Sequence, residues 1–89
     1  MLMHFTIEQR HLTDAGGRPV PHAAAAVSFH SIEAESASDA VRLFVEQNGG
    51  QTIGDIVKFP RFHAVATMRS TNGVHTLQVA PSSQKFAPL

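Results

Sequence analysis

The chain has 89 residues, with seven Lys and Arg balanced by seven Asp and Glu, for a formal net charge of zero at pH 7. It contains no Cys, which excludes disulfides and thiolate metal sites. A neutral chain only 16% charged lacks the basic field that dominates nucleic-acid affinity, so composition argues against a DNA- or RNA-binding protein.

The first predicted element is a strand over Met3–Thr13. Phe5 and Ile7 share one face, and Thr6, Glu8 and Arg10 share the other, the period-two pattern of a half-buried strand. From Asp14 to His22 the chain concentrates Gly and Pro, which is loop chemistry, and a loop of this length is a candidate to order on binding. A second strand is expected from about Ala24 to Ala34. Val27 and Phe29 fall on the opposite face from Ile32 and Ala34, so a bulge near His30 or Ser31 is expected to return Ile32 to the core side.

The clearest element is the helix that follows. Ala37, Ala40, Val41, Phe44 and Val45 recur at helical spacing, with Asp39, Arg42 and Glu46 on the other side. Ser36 suits the N-cap, with Asp39 completing a variant capping box, and Asn48-Gly49-Gly50 ends the helix. About eleven residues do not hold a helix alone in water, so the apolar stripe must pack on a sheet.

A third strand is read over Thr52–Phe59, with Ile53, Val57 and Phe59 in phase and Asp55 interrupting them. A fourth runs from Phe62 to Arg69 with Phe62, Ala64, Ala66 and Met68 facing the core, and Phe59 and Phe62 are expected to pack against Phe44. Asn72-Gly73 reads as a type I′ hairpin turn. That register pairs Thr71 with Val74, Met68 with Leu77 and Ala66 with Val79, and sets His75 opposite Ser70. Residues 81–89 read as a loose polar tail in which Phe86 and Leu89 could still dock.

The expectation is therefore one α+β domain over residues 1–89, a two-layer sandwich of one helix on a mostly antiparallel sheet of four or five strands, in the order β-β-α-β-β-β. A single helix covers one face. The open face is assigned Thr6, Glu8 and Arg10 from the first strand, His63, Val65, Thr67 and Arg69 from the fourth, and Thr76 and Gln78 from the fifth. Antiparallel sheets tolerate water on such a face, and partners also dock there.

Six His in 89 residues is the one unusual count. Their spacing includes no H-x-H, H-x₃-H or HExxH pattern, so no metal site and no cofactor is assigned. The acid–base candidates are His63 and His30 with Glu8, Glu33 or Asp55, because His titrates near neutral pH and a carboxylate can orient it. Neither a nucleophile elbow nor a glycine-rich phosphate loop occurs. With no signal-peptide pattern and no run of ~18 apolar residues, the expected setting is cytoplasmic, without membrane association.

The reading that follows is a non-catalytic, homo-oligomeric binding or assembly module. Arg10, His63, Val65, Thr67 and Arg69 would carry contacts to a second subunit, a protein or a small-molecule ligand. The alternative is a small enzyme with a His/carboxylate site at a subunit interface.

Overall fold

The computed structural model of the chain describes residues 1–21 and 27–82. Five antiparallel strands form one sheet: β1 (Met3–Thr13), β2 (Val27–Ala34), β3 (Gln51–Phe59), β4 (His63–Ser70) and β5 (Gly73–Pro81). Between β2 and β3 lies the helix α1 (Ala37–Gln47). The strand order is β2-β1-β5-β4-β3, which puts β2 and β3 at the edges. This is the expected α+β arrangement, one helix on an antiparallel sheet.

The helix ends follow the sequence signals except for the expected capping box, whose return bond from the Asp39 carboxylate to the Ser36 N–H is not made. Ser36 is the N-cap, its Oγ accepting a 3.1 Å bond from the Asp39 N–H. The Asp39 carboxylate turns outward to Arg42 at 2.7 Å, an exposed i,i+3 pair. At the other end the Gly50 N–H donates to the Val45 carbonyl at 2.9 Å and the Gly49 N–H to the Glu46 carbonyl at 3.1 Å. That is a Schellman motif, and Gly49 supplies the left-handed residue it needs, at φ 64°.

Ala37, Ala40, Val41, Phe44 and Val45 of α1 are buried against Phe5, Ile7, Ala64, Ala66, Met68, Leu77 and Val79 of the sheet. The largest of these side chains each contribute roughly 1.5–3 kcal/mol relative to exposure. Alternate residues of β1, β4 and β5 therefore face the helix as the period-two pattern requires, and the rest form the open face.

Four further details differ from the sequence reading. First, β1 and β2 pair without a shift from Met3↔Ala34 to Arg10↔Val27, so no bulge interrupts β2. The alternation holds because Val27 and Phe29 sit on the open face, while polar His30 takes the core-side position between Gln9 and Phe44. The part of the expected second strand at Ala24–Ala26, like His22 and the tail beyond Ser82, lies outside the described residues.

Second, the β4–β5 register lies two residues from expectation: Ser70 pairs with Gly73, Met68 with His75, Ala66 with Leu77 and Ala64 with Val79. The loop is Thr71-Asn72, and Gly73 (φ 123°) opens β5 instead of turning the hairpin. A shift of two keeps every side chain on its face, so the core is unaffected. Pro81, expected in the tail, is buried at the end of β5, and the Ser82 N–H bonds the His4 carbonyl at 2.9 Å.

Third, Phe59 and Phe62 are half exposed and do not pack on Phe44. β4 starts one residue later than expected, at His63, and Phe62 falls in the turn. There Arg61 and Phe62 take left-handed backbone conformations, φ 65° and 64°. Two consecutive non-glycine residues in that region cost about 1–2 kcal/mol each.

Fourth, β3 is bulged. Ile53 pairs with Thr67 and Val57 with Val65, so Gly54, Asp55 and Ile56 stand opposite one residue of β4. Ile56 turns in against the core, and Asp55 projects outward from the bulge, which explains its break in the alternation.

Candidate functional site

The strand registers align the open face into rows that cross the whole sheet. One row runs Phe29–Glu8–Gln78–Val65–Val57, and the next runs Val27–Arg10–Thr76–Thr67–Ile53. Arg69 sits beside Val74 and Gln51, and His63 beside Phe59.

All nine residues assigned to this face from sequence occupy it, the five expected to carry contacts among them. They do not converge on a point. Arg10 is two strands away from Thr67, about 10 Å across the sheet. His63 and Arg69 lie six residues apart on β4, roughly 20 Å along the strand. Arg10 is held by Glu8 at 3.0 Å, and His63 Nδ1 donates to the Pro60 and Arg61 carbonyls at 3.2 and 3.0 Å. His63 therefore fastens the strained β3–β4 turn.

The acid–base candidates are likewise dispersed within the chain. His30 is on the helix side of β2, His63 on the open side of β4 and Asp55 in the bulge of β3, while Glu33 pairs with His4 at 3.3 Å. Among the described residues no three His, Asp or Glu side chains gather to hold a metal, and no helix is long and apolar enough to cross a membrane.

The open face also carries apolar residues that the sequence reading did not assign to it, Phe59 having been expected on the helix side. Val57 and Phe59 are each 50% exposed and Ile53 38% exposed, and Phe62 in the adjoining turn is 56% exposed. Their in-phase spacing was the available signal, but it states only that they share a face. Phe59, His63, Val65 and Gln78 line a shallow depression beside them. The chain matches no family model, no characterised protein and no solved structure. The functional reading therefore rests on this geometry.

A second polar feature lies on the helix side, beyond the apolar core. Gln9 sits between two imidazoles: its Oε1 accepts from His30 Nε2 at 2.9 Å, and its Nε2 donates to His75 Nδ1 at 3.2 Å. His75 Nδ1 is then an acceptor, which leaves its proton on Nε2, facing Ser70 Oγ at 3.5 Å. His11 stacks on His75 with ring centroids 4.3 Å apart and donates from Nε2 to the Asn72 carbonyl at 2.9 Å. His75 is 5% exposed, and burial, then the neighbouring His11, lowers its pKa below the usual imidazole value.

Stability is therefore complete at pH values above the ordinary His pKa of about 6.5. It is expected to fall as pH drops from there toward the lowered value in the fold, where the unfolded chain binds the proton more readily. Melting temperatures measured between pH 7.5 and 5 should decline, and His75→Gln should flatten the decline. An equally steep fall in the variant would assign the effect to another group.

Proposed function

We propose that this protein is a homo-oligomeric assembly module that binds through the open face of its sheet and has no catalysis of its own. The observation that carries the reading is the exposure of Ile53, Val57 and Phe59 together on a sheet face that no element of the described chain covers. Exposed apolar side chains gathered on one face, rather than scattered singly, mark interaction surfaces. The zero net charge adds no long-range repulsion between copies.

Val65 lies at the centre of this surface, between Gln78 and Val57. Thr67 lies in the next row. Neither belongs to the core, so Val65→Asp and Thr67→Lys should leave the monomer folded by circular dichroism while weakening association. Light scattering on a sizing column should give the parent chain a multiple of 9.6 kDa and give Val65→Asp the single-chain mass. A parent that stays monomeric when concentrated, or a Val65→Asp variant that keeps the parent's mass, would overturn the proposal.

A further inference from the structure

We infer that Gln9 makes His30 and His75 a one-proton switch on the helix side of the sheet: while the network holds, either imidazole can carry a charge, but not both. The device lies on the opposite side of the sheet from the proposed assembly surface and does not depend on that reading.

The amide sets where the hydrogens lie. A glutamine side chain ends in one acceptor oxygen and one donor nitrogen. The Gln9 Oε1 accepts from His30 Nε2 at 2.9 Å and from the Ser28 hydroxyl at 3.3 Å, and its Nε2 donates to His75 Nδ1 at 3.2 Å. The Ser28 Oγ also lies 3.0 Å from His30 Nε2. Three strands meet in these bonds, since Gln9 is on β1, Ser28 and His30 on β2, and His75 on β5.

A proton acts differently on the two rings. On His30 it adds a hydrogen to Nδ1 and leaves Nε2 donating to Gln9, so no bond changes. On His75 it turns Nδ1 from acceptor into donor, against the NH2 group of Gln9. The Nε2 hydrogen of His75 stays toward Ser70, so the whole consequence falls on the amide. Gln9 can turn over to present its oxygen, but its NH2 group then faces His30 Nε2, which must give up its hydrogen. A neutral His30 does so by carrying that hydrogen on Nδ1 instead, exchanged through water. A charged His30 holds hydrogens on both nitrogens and cannot. The second proton therefore leaves two donors face to face, at the cost of an unsatisfied polar group.

No neighbouring charge offsets this. Facing His75 are Gln9 and the stacked His11 from β1, and Ser70 from β4. Facing His30 are Gln9, Ser28 and, from α1, the Phe44 ring. The ion pairs among the described residues are His4–Glu33, Arg10–Glu8 and Arg42–Asp39, so no carboxylate holds a proton on either ring. Burial and then His11 disfavour a charge on His75, and at 5% exposure the ring has little access to water as a substitute acceptor.

An NMR titration of the His75 imidazole in the full chain, arranged as a double-mutant cycle, tests the switch. His30→Gln offers a donor or an acceptor to either orientation of the Gln9 amide, so it should raise the His75 midpoint by about one pH unit. In a Gln9→Leu background no amide joins the two positions, and the same substitution should move the midpoint by less than about 0.3 units. Equal rises in both backgrounds would assign the effect to repulsion across space, and no rise in either would leave the rings uncoupled; each result overturns the switch. One readout needs no variant. In the parent, the Gln9 side-chain amide resonances should shift in the same step as the His75 ring, and an amide that stays still while His75 titrates would also overturn it.

Discussion

Replacing Gly73 with alanine is expected to destabilise the protein by about 3–5 kcal/mol. An added Cβ would lie 2.0 Å from the Thr13 carbonyl oxygen and 2.7 Å from the Asp14 carbonyl carbon. Both obstacles are backbone, so no rotamer change can relieve the clash. The register of β1 on β5 shifts between His11 and Thr13, where the chain turns toward Asp14, and the backbone of β1 reaches Gly73 there. The clash adds to the strain of holding alanine at φ 123°. Strained backbone and overpacking each cost roughly 1–3 kcal/mol, against a total stability of about 5–15 kcal/mol for a small domain.

For a domain of this size each kcal/mol lowers the melting temperature by about 4–8 °C, so a fall of well over 10 °C is expected. Gly49→Ala is the control. Its φ is 64°, but nothing stands within 4 Å of the added Cβ, so only the left-handed penalty of about 1–2 kcal/mol applies. Chemical denaturation of the two variants checks the difference. Equal losses would mean that the approach of β1 to Gly73 is not what requires glycine.

The same position shows where the sequence was misread. Asn72-Gly73 is the common signature of a two-residue turn, but Gly73 serves the crossing of β1 over β5, a contact between residues about sixty positions apart. A local pattern carries no trace of it. The helix, by contrast, was legible to its caps, because Ser36, the apolar stripe and Gly49 act within a few residues of one another. The faces of β1, β4 and β5 were legible because each alternation has buried partners on both sides.

On the edge strands the same rule loses its meaning. Val27, Phe29, Ile53, Val57 and Phe59 alternate correctly, but alternation groups side chains without saying which group is buried. Reading apolar as buried invented a bulge in β2 and turned Phe59 of β3 inward. The Gln9 network was hidden for another reason. His30 and His75 lie 21 and 66 residues from the amide between them, and composition registers them only as an excess of His.

Phe44→Ala is expected to cost about 3–5 kcal/mol, the usual range for truncating a buried aromatic. Phe44 is buried in the stripe that α1 lays across the sheet, and its ring also meets the His30 imidazole at 4.9 Å. It is therefore the boundary between the apolar core and the polar network. Its loss would open a cavity beside a hydrogen-bonded imidazole, and water reaching that space would loosen the His30–Gln9 bond as well as the helix. A urea titration should show the midpoint falling by the amount a 3–5 kcal/mol loss requires. The imidazole resonances of His30 and His75 should move together in the variant, since Gln9 joins them. Leu43→Ala, one residue earlier on the exposed side of α1, should stay within about 0.5 kcal/mol of the parent. Unmoved His75 resonances in a destabilised Phe44→Ala variant would show that the core and the network are separate structures.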